Sequence, residues 1–211
     1  MLEDISGQEI KDQFKSNKRL RLISFSIGGV LLIVIGIFVY YQMFWVPANE
    51  KSKDAYWEGL NYAKSDSTDV ALDEFRAAVK KYDGKIGGEV SQFLYARQLM
   101  NKGEFKKAKG ELEEVDIEDS YVRVLRIGLI GDCESEMKKY AAASAKYEEA
   151  ANMIDNDFTT PMFLRKAAGC AEQLKDFKKA TEYYQRILDD YPQYAVQFEI
   201  ERYHARASNV K

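Results

Sequence analysis

Few side chains in this sequence could carry out bond chemistry. There is one histidine, His204, flanked by Arg202 and Arg206 with no neighbouring base, and it reads as a surface or interface residue. Glu113-Glu114 and Glu148-Glu149 are adjacent carboxylates. Adjacent helical positions point about 100° apart, so neither pair can face one substrate, and both read as solvated helix faces. The chain has no glycine-rich phosphate loop, no HExxH and no GxSxG. The expectation is a non-enzymatic protein with no catalytic residue, cofactor, metal site or small-molecule substrate. A formal net charge of -3 and the lack of a basic stripe argue against nucleic acid as a partner.

With no chemistry to position, the elements themselves become informative. The stretch from Leu22 to Val46 holds 25 residues without a charge. At about 1.5 Å of rise per residue such a helix reaches ~37 Å, enough to cross a hydrocarbon core of roughly 30 Å with some tilt. Lys11, Lys15, Lys18, Arg19 and Arg21 precede it, whereas Lys51 and Lys53 follow it interleaved with Glu50 and Asp54. Basic residues stay on the cytoplasmic side, which predicts N-terminus in and C-terminus out. In a bacterium that is an inner-membrane protein with its C-terminal domain in the periplasm. Tyr40, Tyr41, Phe44 and Trp45 suit a headgroup boundary at the exit end. The rival reading is a cleaved secretory signal ending near Val46-Pro47-Ala48, but the apolar run exceeds the ~7 to 15 residues of a signal h-region. Ser24, Gly28 and Gly36 recur near one face, where another span could approach closely.

The expected domains are a cytoplasmic tail at 1–21, the span at 22–46, a periplasmic domain at 47–207 and a short tail at 208–211. The first tail reads as a disordered start whose basic end sets topology. Its alternative is a short amphipathic helix on Ile5, Ile10 and Phe14.

Beyond the span the sequence repeats. Ala71, Ala108, Ala143 and Ala180 align at intervals of 37, 35 and 37 residues. Four residues after each comes a large side chain: Phe75, Leu112, Tyr147 and Tyr184. Seven after each comes Ala78, Val115, Ala150 and Ile187. Three before stand Thr68, Phe105, Tyr140 and Phe177, and twelve before stand the small residues Gly59, Ala96, Gly131 and Ala168. Antiparallel helices approach closely only where small residues meet, and a nearby aromatic fills the wedge left open. With many Ala, Glu, Lys and Leu and three Pro, the region reads as helical throughout.

Local signals set the helices. One is expected from Ala48 to about Lys64, a second to about Tyr82, then Glu89 to Asn101 after Gly87-Gly88, and Glu104 to Val115. Asp119 or Ser120 should cap a helix reaching Met137, Lys139 to Met153 should return, and Thr160-Pro161 should open the next. Gln193 to about Ala207 is expected as one capping helix with Val196, Ile200, Tyr203 and Ala207 on its inner face. Cys133 and Cys170 each lie ten residues before their aligned alanine. Neighbouring helices sit about 8 to 10 Å apart, beyond the ~7 Å limit of an unstrained bridge, so two buried thiols are favoured over a disulfide.

On these residues the region resembles the tetratricopeptide repeat (TPR), a helix-turn-helix unit of about 34 residues. Repeat four matches best, with Ala168, Gly169, Phe177, Ala180, Tyr184, Ile187 and the closing Pro192; repeat one brings Trp57, Gly59, Tyr62, Ala71, Phe75 and Ala78. The resemblance implies an all-α fold: a single N-terminal transmembrane helix, then an α-solenoid of about four helix pairs and a C-terminal capping helix. It also implies a concave protein-binding groove lined by first helices, for which the candidates are Tyr56, Leu60, Phe93, Arg97, Asp132, Arg165 and Glu172. The carboxylate-clamp type of this family uses a Lys and Asn set. Tyr56, Leu60, Phe93 and Arg97 stand at the corresponding sites here, so a mixed aromatic and charged groove for a protein segment is expected instead.

The layout of charged tail, single span and exported repeat domain is similar to the YfgM-like proteins of bacterial envelopes. That similarity implies an ancillary subunit of the Sec translocon, with the channel and a periplasmic chaperone as partners. The competing expectation is a structural scaffold of another envelope complex, serving division, wall synthesis or outer-membrane export.

Overall fold

The computed structural model describes residues 7–210, and within them all regular structure is helical. The chain divides between Lys51 and Ser52 into two units.

In the first unit, α1 (Gly7–Ser16) and α2 (Lys18–Tyr40) meet at Asn17, whose carboxamide oxygen accepts from the backbone N–H of Arg19 and Leu20 and so caps α2. The helix over Gly7–Ser16 replaces the disordered start expected there; Ile5 of the expected amphipathic face lies outside the described residues. Phe14 meets Phe25 edge to face at 6.1 Å. No residue of α2 is buried, and it belongs to the one helix among the described residues long and apolar enough, by length and composition, to cross a membrane. A π-helical turn, Tyr41–Trp45, follows, with Tyr40 stacked on Phe44 and Tyr41 on Trp45. It runs into α3 (Val46–Ser52).

The second unit contains α4 (Trp57–Lys64), α5 (Thr68–Lys81), α6 (Ile86–Asn101), α7 (Phe105–Glu114), α8 (Ser120–Glu136), α9 (Tyr140–Met153), α10 (Thr159–Gln173), α11 (Phe177–Asp190), α12 (Pro192–Gln197) and α13 (Ile200–Ser208). From α4 to α11 each helix packs on the next. The repeated positions take the same places in every round. The small residues at Gly59, Ala96, Gly131 and Ala168 lie on α4, α6, α8 and α10, the aligned alanines on α5, α7, α9 and α11, and all are buried. Phe75, Leu112, Tyr147 and Tyr184 are buried beside them. A methyl group added at Gly59 would stand 2.6 Å from the Phe75 ring, and one at Gly131 2.7 Å from the Tyr147 ring. The large side chain four residues after the alanine therefore fills the space that the small residue leaves.

The turns repeat too. Asp66, Gly103, Lys138 and Lys175, each five residues before an aligned alanine, have φ of 54°, 79°, 61° and 62°. The N–H groups of Ser67, Glu104, Lys139 and Asp176 donate to the carbonyls of Tyr62, Leu99, Glu134 and Ala171. This is the six-to-one bond of a Schellman C-cap, made four times in one register.

Several boundaries differ from the sequence expectation. The helix expected over Ala48–Lys64 breaks at Lys53–Tyr56, where Ala55 N–H donates to the Ser52 carbonyl and Trp57 N–H to that of Asp54. Ser52 is fully buried, and its hydroxyl accepts from Gly87 N–H at 3.1 Å. Gly87 and Gly88, expected to precede a helix over Glu89–Asn101, lie within the first turn of α6. A Cβ at Gly87 would stand 1.8 Å from the Ser52 carbonyl oxygen and one at Gly88 2.1 Å from that of Tyr82, so backbone passes where side chains would be. α10 starts at Thr159, and its first N–H groups are met by Asn156, whose Oδ1 accepts from Phe158 and Thr159. The single capping helix expected over Gln193–Ala207 is two helices, broken at Glu199 with φ 52°. The break turns Val196 outward, 82% exposed, while Ile200 and Ala207 are buried and Tyr203 stacks on Tyr184.

Buried residues form two clusters. One gathers Ala71, Phe75, Tyr95, Leu112, Ile130 and Cys133; the other runs from Val124 and Ile127 through Phe163, Ala180 and Ile187 to Ile200. Both draw on α8. Cys133 belongs to the first and Cys170 to the second, and both thiols are free and buried.

Candidate protein-binding groove

Three alternate helices build a hollow of about 240 Å³. From α6 come Phe93 and Arg97, one turn apart and so on one face. Leu125, Leu129 and Asp132 project from α8 at the same spacing, and Met162, Phe163 and Lys166 from α10. The floor is aliphatic and aromatic, and the charges sit at its margins. Close approach of the helices below depends on Gly128, where a Cβ would be 2.0 Å from the Phe163 ring. Arg97 also lines a second hollow of about 180 Å³ with Leu60, Ala63 and Lys64 of α4 and Leu94, Gln98 and Asn101 of α6. The two hollows meet at this guanidinium.

Charge at the margins is held in two ways. Lys166 Nζ donates to both Asp132 oxygens, at 2.6 and 2.9 Å, and Tyr147 Oη donates to Asp132 Oδ1 at 2.7 Å. Burial, and next the Asp132 charge, hold the Tyr147 hydroxyl far above the usual tyrosine range, so it remains a donor. Lys166 also sits over the rings of Tyr147 and Phe163, at 5.5 and 5.9 Å. Asp132 is therefore saturated by its own neighbours. Arg97, by contrast, is exposed and has no ion pair or hydrogen bond among the described residues. It is the unpaired guanidinium where the two hollows meet, with the exposed Lys64 on the far wall of the second.

Of the seven residues singled out from the sequence, Phe93, Arg97 and Asp132 share the first hollow, and Leu60 joins Arg97 in the second. Tyr56 packs half-buried against the first core cluster and lies 5.1 Å from the Trp57 ring. Arg165 and Glu172 line neither hollow. The Arg165 guanidinium lies over the Phe198 ring at 4.6 Å, and Glu172 accepts two bonds from Arg206 at 2.9 and 2.6 Å. Both tie α10 to the last helices. Sequence reasoning missed Leu125, Leu129, Met162, Phe163 and Lys166. A usable signal was present: 125, 129 and 132 continue one helical face, as do 162 and 166.

No protein-family model matches the chain, and no curated protein is similar to it in sequence.

Proposed function

We propose that this protein acts by protein–protein interaction: a membrane-anchored solenoid of four tetratricopeptide-type helix pairs whose groove across α4, α6, α8 and α10 holds a segment of another polypeptide. The observation that carries this is the groove itself, an apolar floor drawn from three alternate helices with one unpaired guanidinium at its edge. The recurrence of small, large and left-handed turn positions at intervals of 37, 35 and 37 residues supports the repeat reading. The positive flank before the span supports an N-in, C-out orientation with the groove on the periplasmic side of a bacterial inner membrane. On layout, the role we infer is an ancillary subunit that recruits a periplasmic chaperone to the Sec translocon.

The test is affinity purification of the tagged full-length protein in mild detergent, beside one variant with an unrelated span and one carrying Leu129→Asp and Arg97→Glu. Translocon channel subunits should be lost with the foreign span, and the chaperone or nascent substrates with the groove variant. Recovery of one division, wall-synthesis or export complex from all three proteins, without the channel, would replace this role with that of a scaffold.

A further inference from the structure

A third hollow lies away from the groove, between the loop that precedes α10 and helix α12, with a volume of about 380 Å³. Four aromatic side chains line it, Phe158, Tyr191, Tyr194 and Phe198, and Asp157 stands at its edge. We propose that this hollow binds the arginine or lysine side chain of a polypeptide partner, independently of the groove reading.

Phe158 is 70% exposed, yet it sits on a loop tied by several hydrogen bonds. Asn156 Oδ1 accepts from Phe158 and Thr159 N–H, Asn156 Nδ2 donates to the Ile154 carbonyl and to Thr159 Oγ1, and Thr160 Oγ1 accepts from Asn156 N–H. These bonds fix the Phe158 backbone before any ligand arrives, which lowers the entropy cost of ordering the loop on binding. Opposite it, Tyr194 and Phe198 pack with ring centroids 4.2 Å apart.

Charge selects the occupant. The faces of aromatic rings attract cations, and Asp157, exposed, has no ion pair or hydrogen bond among the described residues. No cationic side chain lines the hollow. Arg165, which does not line it, rests over Phe198 and Tyr194 at 4.6 and 5.9 Å, so these two rings already hold a cation of the chain itself, and the rings left for an incoming one are those of Phe158 and Tyr191, which line the hollow with Asp157. Gln193 and Gln197, one turn apart on α12, add carboxamides that can pair with a peptide backbone. A choline headgroup would satisfy the rings equally, but it would bring a phosphate beside Asp157, where like charges repel.

The test is a saturation-transfer NMR titration of the full-length protein in dodecyl maltoside with three probes: N-acetyl-arginine methylamide, its neutral citrulline counterpart and phosphocholine. The arginine probe should bind, the citrulline probe at least about fivefold more weakly, and Phe158→Ala and Asp157→Asn should each weaken arginine about two- to fivefold. Both side chains are exposed, and thermal melting checks that the variants remain folded. Equal binding of citrulline, or arginine binding unchanged in both variants, overturns the proposal. Tighter binding of phosphocholine than of arginine assigns the hollow to a lipid headgroup and overturns it too.

Discussion

The apolar helix α2 and the helices of the second unit both combine large hydrophobic residues with glycine, and they use the combination in opposite ways. In α2 the large side chains are exposed along its length, with Leu32 at 72%, and a methyl group added at Gly28, Gly29 or Gly36 would touch nothing within 4 Å. In the second unit the glycines at 59, 128 and 131 each face an aromatic ring that leaves no space for a methyl. Hydrophobicity in α2 is a property of composition, readable by a solvent of lipid. In the stack it is a property of shape, and it stabilises only where complementary sizes meet.

The largest test of this contrast charges the apolar helix. Replacing Ile33 and Ile37 together by Arg costs roughly 5 to 7 kcal/mol of insertion free energy and should move the protein out of the membrane fraction. Fractionation checks it. The same two arginines in place of exposed Ala141 and Ala145 should leave the distribution unchanged.

The next compares one substitution in both regions. Gly131→Leu drives a side chain into Tyr147, which cannot swing away without losing its bond to Asp132, and should cost about 3 kcal/mol. At roughly 2 to 4 °C per kcal/mol for a domain of this size, the melting temperature should fall by about 6 to 12 °C. Gly36→Leu should leave the same melting transition where it was. Equal effects would mean that the two kinds of glycine do not differ.

A smaller, opposite effect is expected at the turns. Lys138 and Lys175 occupy a left-handed conformation that costs a residue with a Cβ about 1 to 2 kcal/mol. Lys138→Gly should recover part of this, about 1 kcal/mol, and raise the melting temperature by about 2 to 4 °C. Gly103→Ala, at the equivalent turn, should lower it.

The smallest effect is electrostatic. Buried Glu134 of α8 bonds Lys109 of α7 at 2.6 Å and faces Lys139 at 3.5 Å. The Lys109 hydrogen bond lowers the carboxyl pKa, against its burial, and the bond to Glu134 raises that of Lys109. A depressed carboxyl pKa contributes stability above the unfolded value of about 4.3, lost as pH falls through the folded value. A raised lysine pKa contributes stability below about 10.4, lost as pH rises through the folded value. Melting curves of Glu134→Gln and the parent chain should therefore differ between about pH 5 and pH 10 and converge as pH falls through the folded value.

Much of this architecture was legible in the residues. The apolar run named its own helix, and the spacing of Gly59, Ala96, Gly131 and Ala168 against the aligned alanines placed close contacts at positions that are buried in every round. The free, buried state of Cys133 and Cys170 followed from helix spacing alone. The turns were less legible. Gly103 and Asp66 are residue types that enter the left-handed region, and residues 65–67 read as a turn, whereas Lys138 and Lys175 adopt the same φ with no residue preference to reveal it.

What the sequence determined by itself was therefore periodic: helix type, the long apolar stretch, the repeat length and the buried face of each round. Periodicity is a local property, set by 3.6 residues per turn and by which side chains avoid water. Which marginal residues converge was decided only by the tertiary structure. Arg165 and Glu172 follow the same helical pattern as Lys166, yet they turn to α12 and α13 while Lys166 turns to Asp132. Likewise Gly87-Gly88 read as preceding a helix, whereas it lies within the first turn of α6 with Ser52 against it. These pairings join residues 33 to 35 positions apart, and a contact at that separation depends on the crossing of whole helices, which no local pattern encodes.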